Sequence, residues 1–330
     1  MRALIRTALV LMVLLTGPAF AQTQPKLSGD VILHDPSVMH VDGRFVAFAT
    51  GNEGDPNGGL PRMKTSADGL DWKDAGPLPG SQPAWIAAEL GYTPKNIWAP
   101  SISTRGGRTY LYYSASSFGN QDSAIGLMIN DAFDPAAPGD GWVDQGMVIR
   151  SHKGDSFNAI DPFRFDDASG SWLAFGSWWD GIRLIPLDPQ TGLRLDDSAP
   201  VAIASRQGPG IEAPAIIQRG EWYYLFTSFD HCCRGAASDY RIMIGRAAEI
   251  TGPYLDRDGL PLRYGGGSEV LVSEGRRRGP GGQETFMVGD EYWLAWHYYD
   301  RLLNGLPKLQ IARLHFDADG WPFLSPAPEE

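Results

Sequence analysis

The chain has 330 residues, 43% hydrophobic and 20% charged, which is enough for a sizeable folded core. Its net charge of −11 argues against nucleic acid or an anionic membrane surface as a partner and fits a neutral ligand. Aromatic residues make up 11% of the chain, which suits stacking on sugar rings, although core packing accounts for most of them.

The N-terminal segment, residues 1–21, predicts a secretory signal peptide. Arg2 and Arg6 flank the start of an apolar run from Ala8 to Leu15, and Ala19-Phe20-Ala21 has the small residues of a cleavage site. We place cleavage after Ala21 and expect a secreted or periplasmic protein. No later segment has about 18 consecutive apolar residues, so we expect no membrane anchor.

A short phrase recurs along the rest of the chain: an apolar residue or run, then an acid or Ala, then Pro. The prolines are 64, 62, 52 and 66 residues apart. The copies are His34-Asp35-Pro36, Trp98-Ala99-Pro100, Ile160-Asp161-Pro162 and Glu212-Ala213-Pro214, with Gly279-Pro280-Gly281 as a looser fifth. A circular repeat that brings three acids to matching positions predicts an active site.

A run rich in β-branched and aromatic residues follows each phrase and predicts a strand, whereas sustained helical spacing is nearly absent. Five units of about 62 residues predict an all-β fold, a single five-bladed β-propeller over residues 22–330. A sandwich or jelly roll is the alternative, but neither predicts five spaced copies of one turn. The runs are Arg44 to Thr50, Thr109 to Ala115, Ser171 to Ser177, Glu221 to Ser228 and Glu291 to Tyr298.

Three acids in these phrases form a candidate set for glycosidic-bond hydrolysis, which needs one protonated carboxyl and one carboxylate. Glu212 lies between Ile211 and Ala213-Pro214, an apolar setting that raises a carboxyl pKa, so it is the predicted general acid. Asp35, in a more polar phrase, is the predicted base. Asp161 is expected to orient Glu212 and keep it protonated by like-charge repulsion. The structural alternative is that Asp before Pro only caps a turn.

The whole chain after residue 21 resembles the arabinanases of glycoside hydrolase family 43. The similarity implies a five-bladed propeller that cleaves internal α-1,5-arabinofuranosidic bonds of arabinan, a pectin side chain, with inversion. By position it makes Asp35 the base, Asp161 the tuning acid and Glu212 the acid. The matching stretches are Leu33-His34-Asp35-Pro36-Ser37, Asn96-Ile97-Trp98-Ala99-Pro100, Ala159-Ile160-Asp161-Pro162, Ile211-Glu212-Ala213-Pro214, the stretch from Ser228 to Gly235, and Trp296-His297-Tyr298-Tyr299-Asp300.

The resemblance also implies a metal site. His297 matches a histidine that faces an ion, usually taken as calcium, in the channel of similar arabinanases. Many family members have a second histidine where this chain has Gly282 and Gln283, so the role rests on His297 alone. Calcium prefers oxygen ligands, so we expect waters to complete its shell and the ion to tune charge rather than anchor the fold.

Five further residues are candidates for contacts with the sugar. Trp98 and Phe118 are predicted to stack on furanose rings, with blade packing as the alternative. Asn158, Ser177 and Arg234 are predicted to hydrogen-bond sugar hydroxyls.

Cys232 and Cys233 are the only two cysteines and are adjacent, so they cannot join distant segments. We expect two packed free thiols, with a vicinal disulfide as the alternative.

Two alternatives to the predicted activity remain open. An exo-acting enzyme of the same family would keep the three acids, and a sugar-binding propeller without catalysis would keep only the aromatic residues. A propeller axis needs no partner chain, so we expect a monomer.

Overall fold

The computed structural model describes residues 23–328, so the predicted signal peptide lies outside the described residues. Within this range the strands form five sheets, and their inner strands contact one another in a closed cycle, from β2 to β6, β10, β14, β18 and back to β2. The predicted five-bladed propeller is therefore confirmed.

Blade 1 consists of β1 (Ser28–Gly29), β2 (Ser37–Val41), β3 (Arg44–Ala49), β4 (Arg62–Ser66) and β5 (Asp71–Pro77). Blade 2 consists of β6 (Ile97–Arg105), β7 (Arg108–Ala115), β8 (Ser123–Asn130) and β9 (Val143–Ser151). Blade 3 consists of β10 (Phe163–Asp166), β11 (Ser171–Phe175), β12 (Ile182–Leu187) and β13 (Val201–Ala204). Blade 4 consists of β14 (Ile211–Arg219), β15 (Trp222–Phe229), β16 (Arg241–Ala247) and β17 (Ser268–Leu271). Blade 5 consists of β18 (Arg277–Val288), β19 (Glu291–Asp300), β20 (Leu306–Phe316) and β21 (Pro322–Leu324).

Helical structure is scarce in residues 23–328. One α-helix, α1 (Ala84–Leu90), precedes blade 2, and short 3₁₀ turns span Gly235–Ala237, Leu262–Tyr264 and Arg301–Leu303. None of these helices is long and apolar enough to cross a membrane.

The five predicted strand runs become β3, β7, β11, β15 and β19, the second strand from the axis in each blade, which explains their near-continuous apolar character. Side chains alternate between the two faces of a strand, and these strands are covered on both faces. In β7, Tyr112 belongs to the same buried cluster as Phe175 of blade 3, whereas Tyr113 belongs to the cluster of Phe48 in blade 1. Burying each such side chain contributes roughly 1.5–3 kcal/mol, so the cores lie between blades and hold the ring together.

The ring closes between blades 5 and 1. The segment before β2 runs beside β20, where the Leu309 N–H donates to Val31 O at 2.8 Å and Ile32 pairs with Lys308. Further out, the Gln24 N–H donates to Pro326 O at 2.8 Å. Residues from the two ends of the described chain therefore meet at one blade boundary.

Candidate active site

Five residues around the axis share a left-handed backbone and line one cavity. Their φ values are 51° at Asp35, 38° at Ala99, 56° at Asp161, 52° at Ala213 and 57° at Gly282. The first four precede a proline, but Gln283 follows Gly282. The fifth copy therefore lies at Gly282. Its predicted position at Gly279-Pro280-Gly281 is wrong because Gly279, although also left-handed with a φ of 52° and followed by Pro280, does not line the cavity.

At four blade boundaries a side chain of the preceding blade satisfies the N–H of the left-handed residue. The capping residue lies in the second strand from the axis of that blade or immediately after it. The bonds run from the Ala99 N–H to Thr50 Oγ1 (2.9 Å), Asp161 N–H to Ser114 Oγ (3.0 Å), Gly282 N–H to Ser228 Oγ (3.0 Å) and Asp35 N–H to His297 Nδ1 (3.1 Å). We call these four boundaries the capped junctions. Left-handed non-glycine residues cost of order 1–3 kcal/mol each, and such bonds offset that cost.

The boundary between blades 3 and 4 is different, and we call it the acid junction. Gly176 occupies the capping position, because its N–H bonds to Ile160 O just as the Thr50 N–H bonds to His34 O. A Cβ at Gly176 would lie 2.4 Å from Gly181 O, so no capping side chain fits. The Ala213 N–H instead donates to Asp161 Oδ2 at 3.2 Å. Asp161 is thereby bound to the backbone next to Glu212.

The three acids do not occupy matching positions, contrary to the prediction. Asp35 and Asp161 are left-handed residues, but Glu212 stands one residue earlier, beside the left-handed Ala213. Its counterpart in blade 2 is Trp98, which precedes Ala99. The catalytic carboxyl in blade 4 is therefore carried by the residue before the left-handed position, not by the left-handed residue itself.

Asp35 is held in its ionised form. Burial alone would raise its pKa, but the charge of His34 and a hydrogen bond from it, together with His297 and Thr50, lower the pKa of Asp35 to about 2. His34 Nδ1 lies 2.7 Å from Asp35 Oδ2, and Thr50 Oγ1 donates to the same oxygen at 2.7 Å. Burial opposes the charged form of His34, but the Asp35 carboxylate raises the pKa of His34.

The pKa of Glu212 is shifted in the opposite direction to that of Asp35. Glu212 is 7% exposed, and burial raises its pKa, with the charge of Asp35 adding to the effect. Hydrogen bonds from Ser177 and Tyr240 act in the opposite direction without reversing the result. Ser177 Oγ donates to Glu212 Oε2 at 2.6 Å, and the Tyr240 hydroxyl donates to Oε1.

Asp161 also favours its neutral form. Burial, followed by the charges of Glu212 and Asp35, raises its pKa well above the usual range. The site therefore combines one carboxyl that stays ionised, Asp35, with two that resist ionisation, Asp161 and Glu212. Glu284, which also lines the cavity, resists ionisation as well, since burial raises its pKa to about 8. Opposed pKa values in neighbouring carboxyl groups are the mark of an acid and base pair.

Of the five residues predicted to contact the sugar, three are at least partly exposed and two are buried. Phe118 is 85% exposed, Arg234 is exposed, and Trp98 is half-buried with Nε1 donating to Asn96 Oδ1 at 2.9 Å. Asn158 and Ser177 are each 3% exposed. Asn158 Oδ1 accepts from Ser151 Oγ at 3.4 Å, and the Ser177 hydroxyl is bound to Glu212. Ser177 therefore contacts the candidate acid in this structure, not an open binding surface.

The structure joins Cys232 and Cys233 in a disulfide, so the prediction of free thiols is wrong. The Cys233 N–H donates to the Tyr299 hydroxyl at 2.8 Å, and that hydroxyl lies 2.7 Å from His34 Nε2. The disulfide is thus connected to Asp35 through Tyr299 and His34. Sequence reasoning missed Thr50, Tyr240 and Tyr299; His34 was visible only as a polar neighbour of Asp35.

Three residues could hold a metal ion: His34, Asp35 and His297 offer ligand atoms that all lie within 4.8 Å of one another. His297 is fully buried, and burial lowers its pKa well below the usual range, which keeps the ring neutral as a ligand must be. Its Nε2 has no hydrogen-bond partner among the described residues. Because Nδ1 accepts from the Asp35 N–H, the proton of the neutral ring is on Nε2. Binding an ion at Nε2 would require that proton to move to Nδ1, which would replace the capping bond by a contact with Asp35 Oδ1, 3.6 Å away. With the ring proton on Nδ1, the two imidazoles and one carboxylate form a donor set that fits a metal ion, with Asp35 backing the His297 ligand.

A closed propeller whose channel holds one carboxyl with a lowered pKa and another with a raised pKa defines a glycosidase-like acid and base site. The profile of glycosyl hydrolases family 43 matches residues 23–322, and the chain belongs to this family. The predicted resemblance to the arabinanases of the family is confirmed by the relatives described next.

Two curated relatives and one solved structure span nearly the same length. The extracellular endo-α-(1→5)-L-arabinanase 1 of Bacillus subtilis is 38% identical, covering 88% of this chain and 87% of the relative. The extracellular exo-α-(1→5)-L-arabinofuranosidase of Cellvibrio japonicus is 35% identical, covering 88% and 86%. The Cellvibrio cellulosa α-L-arabinanase complexed with arabinohexaose has a TM-score of 0.82 and 34% identity, covering 89% of this chain and 96% of that one.

Proposed function

We propose that the protein is an exported endo-arabinanase that hydrolyses internal α-1,5-L-arabinofuranosidic bonds of linear arabinan with inversion. The observation that carries this proposal is the opposed ionisation of Asp35 and Glu212 in one channel, with the pKa of Asp35 lowered to about 2 and that of Glu212 raised. The names of the arabinan-acting relatives and the arabinohexaose complex support the substrate class.

In the proposed mechanism Glu212 transfers its proton to the glycosidic oxygen as the bond to the anomeric carbon breaks. Asp35 accepts a proton from a water molecule whose oxygen attacks that carbon from the opposite face. Asp161, bound to the Ala213 N–H, orients the segment that carries Glu212. Inversion requires the two carboxyl groups to stand about 6.5–9.5 Å apart.

We propose a single calcium ion near His297, with waters completing its shell. When bound, the ion would supply positive charge that favours the ionised form of nearby carboxyl groups. Dialysis against a chelator should lower both activity and calcium content measured by atomic absorption, and added Ca²⁺ should restore both. Unchanged activity after complete removal of calcium would contradict the proposed ion.

Export rests on the predicted signal peptide and on the two curated relatives, both named extracellular. Expression of the full chain followed by N-terminal sequencing of the exported protein tests cleavage after Ala21. Size-exclusion chromatography with light scattering tests the expected monomer.

The enzyme proposal is tested by digesting debranched linear arabinan with the wild type and with Glu212→Gln. Mixed short oligomers that appear early with the wild type alone support endo-hydrolysis. Arabinose or one fixed oligomer from the start would favour the exo-acting alternative, which the 35% identity to an exo-acting relative keeps as the second candidate. No cleavage by the wild type would contradict the enzyme proposal. The anomer released first, read by NMR, tests inversion.

A further inference from the structure

Tyr240 has no role in the sequence predictions, yet its hydroxyl contacts the proposed general acid. It is 2% exposed and immediately precedes β16 in blade 4. Its hydroxyl donates to Glu212 Oε1, while Ser177 Oγ donates to Glu212 Oε2 at 2.6 Å. Each oxygen of the buried carboxyl is therefore bound by one hydroxyl.

Packing from blade 5 fixes the Tyr240 ring. A Cβ at Gly281 would lie 2.1 Å from Tyr240 Cδ1, so the ring fills the space above a glycine. The centroid of the His297 ring, also in blade 5, lies 6.1 Å from that of the Tyr240 ring. The phenol thus reaches Glu212 from a rigid position between two blades.

The two hydroxyls that contact Glu212 are not equivalent. Burial and the charges of Glu212 and Asp161 raise the pKa of Tyr240 well above its usual range, so the phenol keeps its proton. Glu212 is the acceptor that the structure provides for this hydroxyl among residues 23–328. Tyr240 therefore remains a donor to Oε1, whereas the Ser177 hydroxyl is free to turn and either donate or accept.

We propose that Tyr240 is a positioning residue for the general acid, confining the acidic proton of Glu212 to Oε2 and so fixing the direction of proton delivery. During transfer the Oε2–H bond breaks and a new O–H bond forms on the leaving sugar. The carboxylate left behind accepts the Tyr240 hydrogen bond at Oε1. This inference rests on the proposed role of Glu212 as general acid.

The test compares Tyr240→Phe with the wild type on linear arabinan across pH. We expect kcat to fall about 10- to 100-fold, the range for losing a hydrogen bond to a charged group, with KM nearly unchanged. The alkaline limb of kcat should move to higher pH, because the lost donor had favoured the ionised form of Glu212. The titratable groups that interact with Glu212 are Asp35, Asp161, His34, Tyr299 and Tyr240, and all but Tyr240 are unchanged in this variant.

Two further variants make the result decisive. Tyr254→Phe also removes a buried phenol hydroxyl in the same blade, one that donates to Ile250 O at 2.8 Å, and should leave kcat and its pH profile unchanged. A wild-type profile in Tyr240→Phe would overturn the inference. A shift of the alkaline limb of kcat to lower pH would also overturn it. Such a shift indicates that water has entered a loosened site and reduced the burial that raises the pKa of Glu212. Full activity in Glu212→Gln would instead contradict the proposed acid itself.

Discussion

At the four capped junctions a neutral hydroxyl or imidazole satisfies the N–H of a left-handed residue, whereas at the acid junction a carboxyl takes that place. The exception arises where Gly176 offers no side chain and Asp161 reaches the Ala213 N–H instead. The repeated junction therefore supports the fold, and the boundary that departs from it places two carboxyl groups side by side. Changes at the two kinds of junction should affect different properties.

The largest expected effect follows from removing an acid. Glu212→Gln or Asp35→Asn should lower activity on linear arabinan by about 10²- to 10⁴-fold, because each variant removes a proton donor or acceptor. Reducing-sugar release measures the loss.

The matched control for this prediction is Glu284→Gln. Burial raises the pKa of Glu284 to about 8, so at neutral pH its side chain is largely protonated and resembles glutamine. This variant should keep most of the activity. Equal inactivation of Glu284→Gln would indicate that any change of a buried channel carboxyl disrupts the site.

Two substitutions of Asp161, to Asn and to Ala, should distinguish its effect on activity from its effect on stability at the acid junction. Asp161→Asn keeps an oxygen that can accept from the Ala213 N–H, so it should fold normally. It removes the electrostatic repulsion between the Asp161 and Glu212 carboxyl groups and should therefore lower activity about 10²-fold. Asp161→Ala leaves that N–H without its acceptor and should also lose about 1–3 kcal/mol in the free energy of unfolding. Urea denaturation of both variants, alongside activity, checks the distinction. Equal stability of the two would show that the Asp161–Ala213 bond does not stabilise the junction.

The acid junction should also make stability depend on pH. In the unfolded chain Glu212 ionises near pH 4, but its pKa in the folded protein is raised, so the folded state binds more protons above that pH. Stability is then lost as pH rises from about 4 towards the raised pKa. Glu212→Gln should therefore be more stable than the wild type at neutral pH, by about 1.4 kcal/mol for each unit of the shift, and no more stable at pH 3.

Thermal denaturation at several pH values measures this difference. A stability gain that stays the same at pH 3 would point to altered packing rather than to ionisation of Glu212.

The smallest effect is expected at a capped junction. Ser114→Ala removes the acceptor of the Asp161 N–H and should cost about 1 kcal/mol of stability at every pH, with little change in activity. Chemical denaturation and arabinan digestion test this. An activity loss as large as that of Asp161→Asn would erase the distinction between the two kinds of junction.

Much of the fold could be predicted from the sequence because its signals are local. The Pro-containing turns and the apolar second strands each depend on a few neighbouring residues, and together they give five blades. The offset of Glu212 from Asp35 and Asp161 is also visible in the sequence, because Pro directly follows each aspartate but comes two residues after Glu212. The fifth turn was misplaced because Gln283 replaces the proline that marks the others.

The rest depends on contacts between blades, which no short pattern reports. Gly176 is one glycine among 40, and only the neighbouring Gly181 backbone shows why it lacks a side chain. The contact of Tyr240 with Glu212 depends on Gly281 in the next blade. The pairing of Cys232 with Cys233 depends on the local loop geometry, since adjacency in sequence permits either state.

The backbone hydrogen bond between Gln24 and Pro326 at the ring boundary should form late in folding. Contacts this distant in sequence form slowly, because the intervening chain must first be brought together. The segment that carries Asp35 reaches its place beside β20 only when blade 5 is present, since Val31 O accepts from the Leu309 N–H. Hydrogen exchange during refolding should therefore show late protection of the Leu33 N–H, which donates to Pro307 O, and of the Leu309 N–H. The catalytic cavity is then completed last, after the blades themselves have formed.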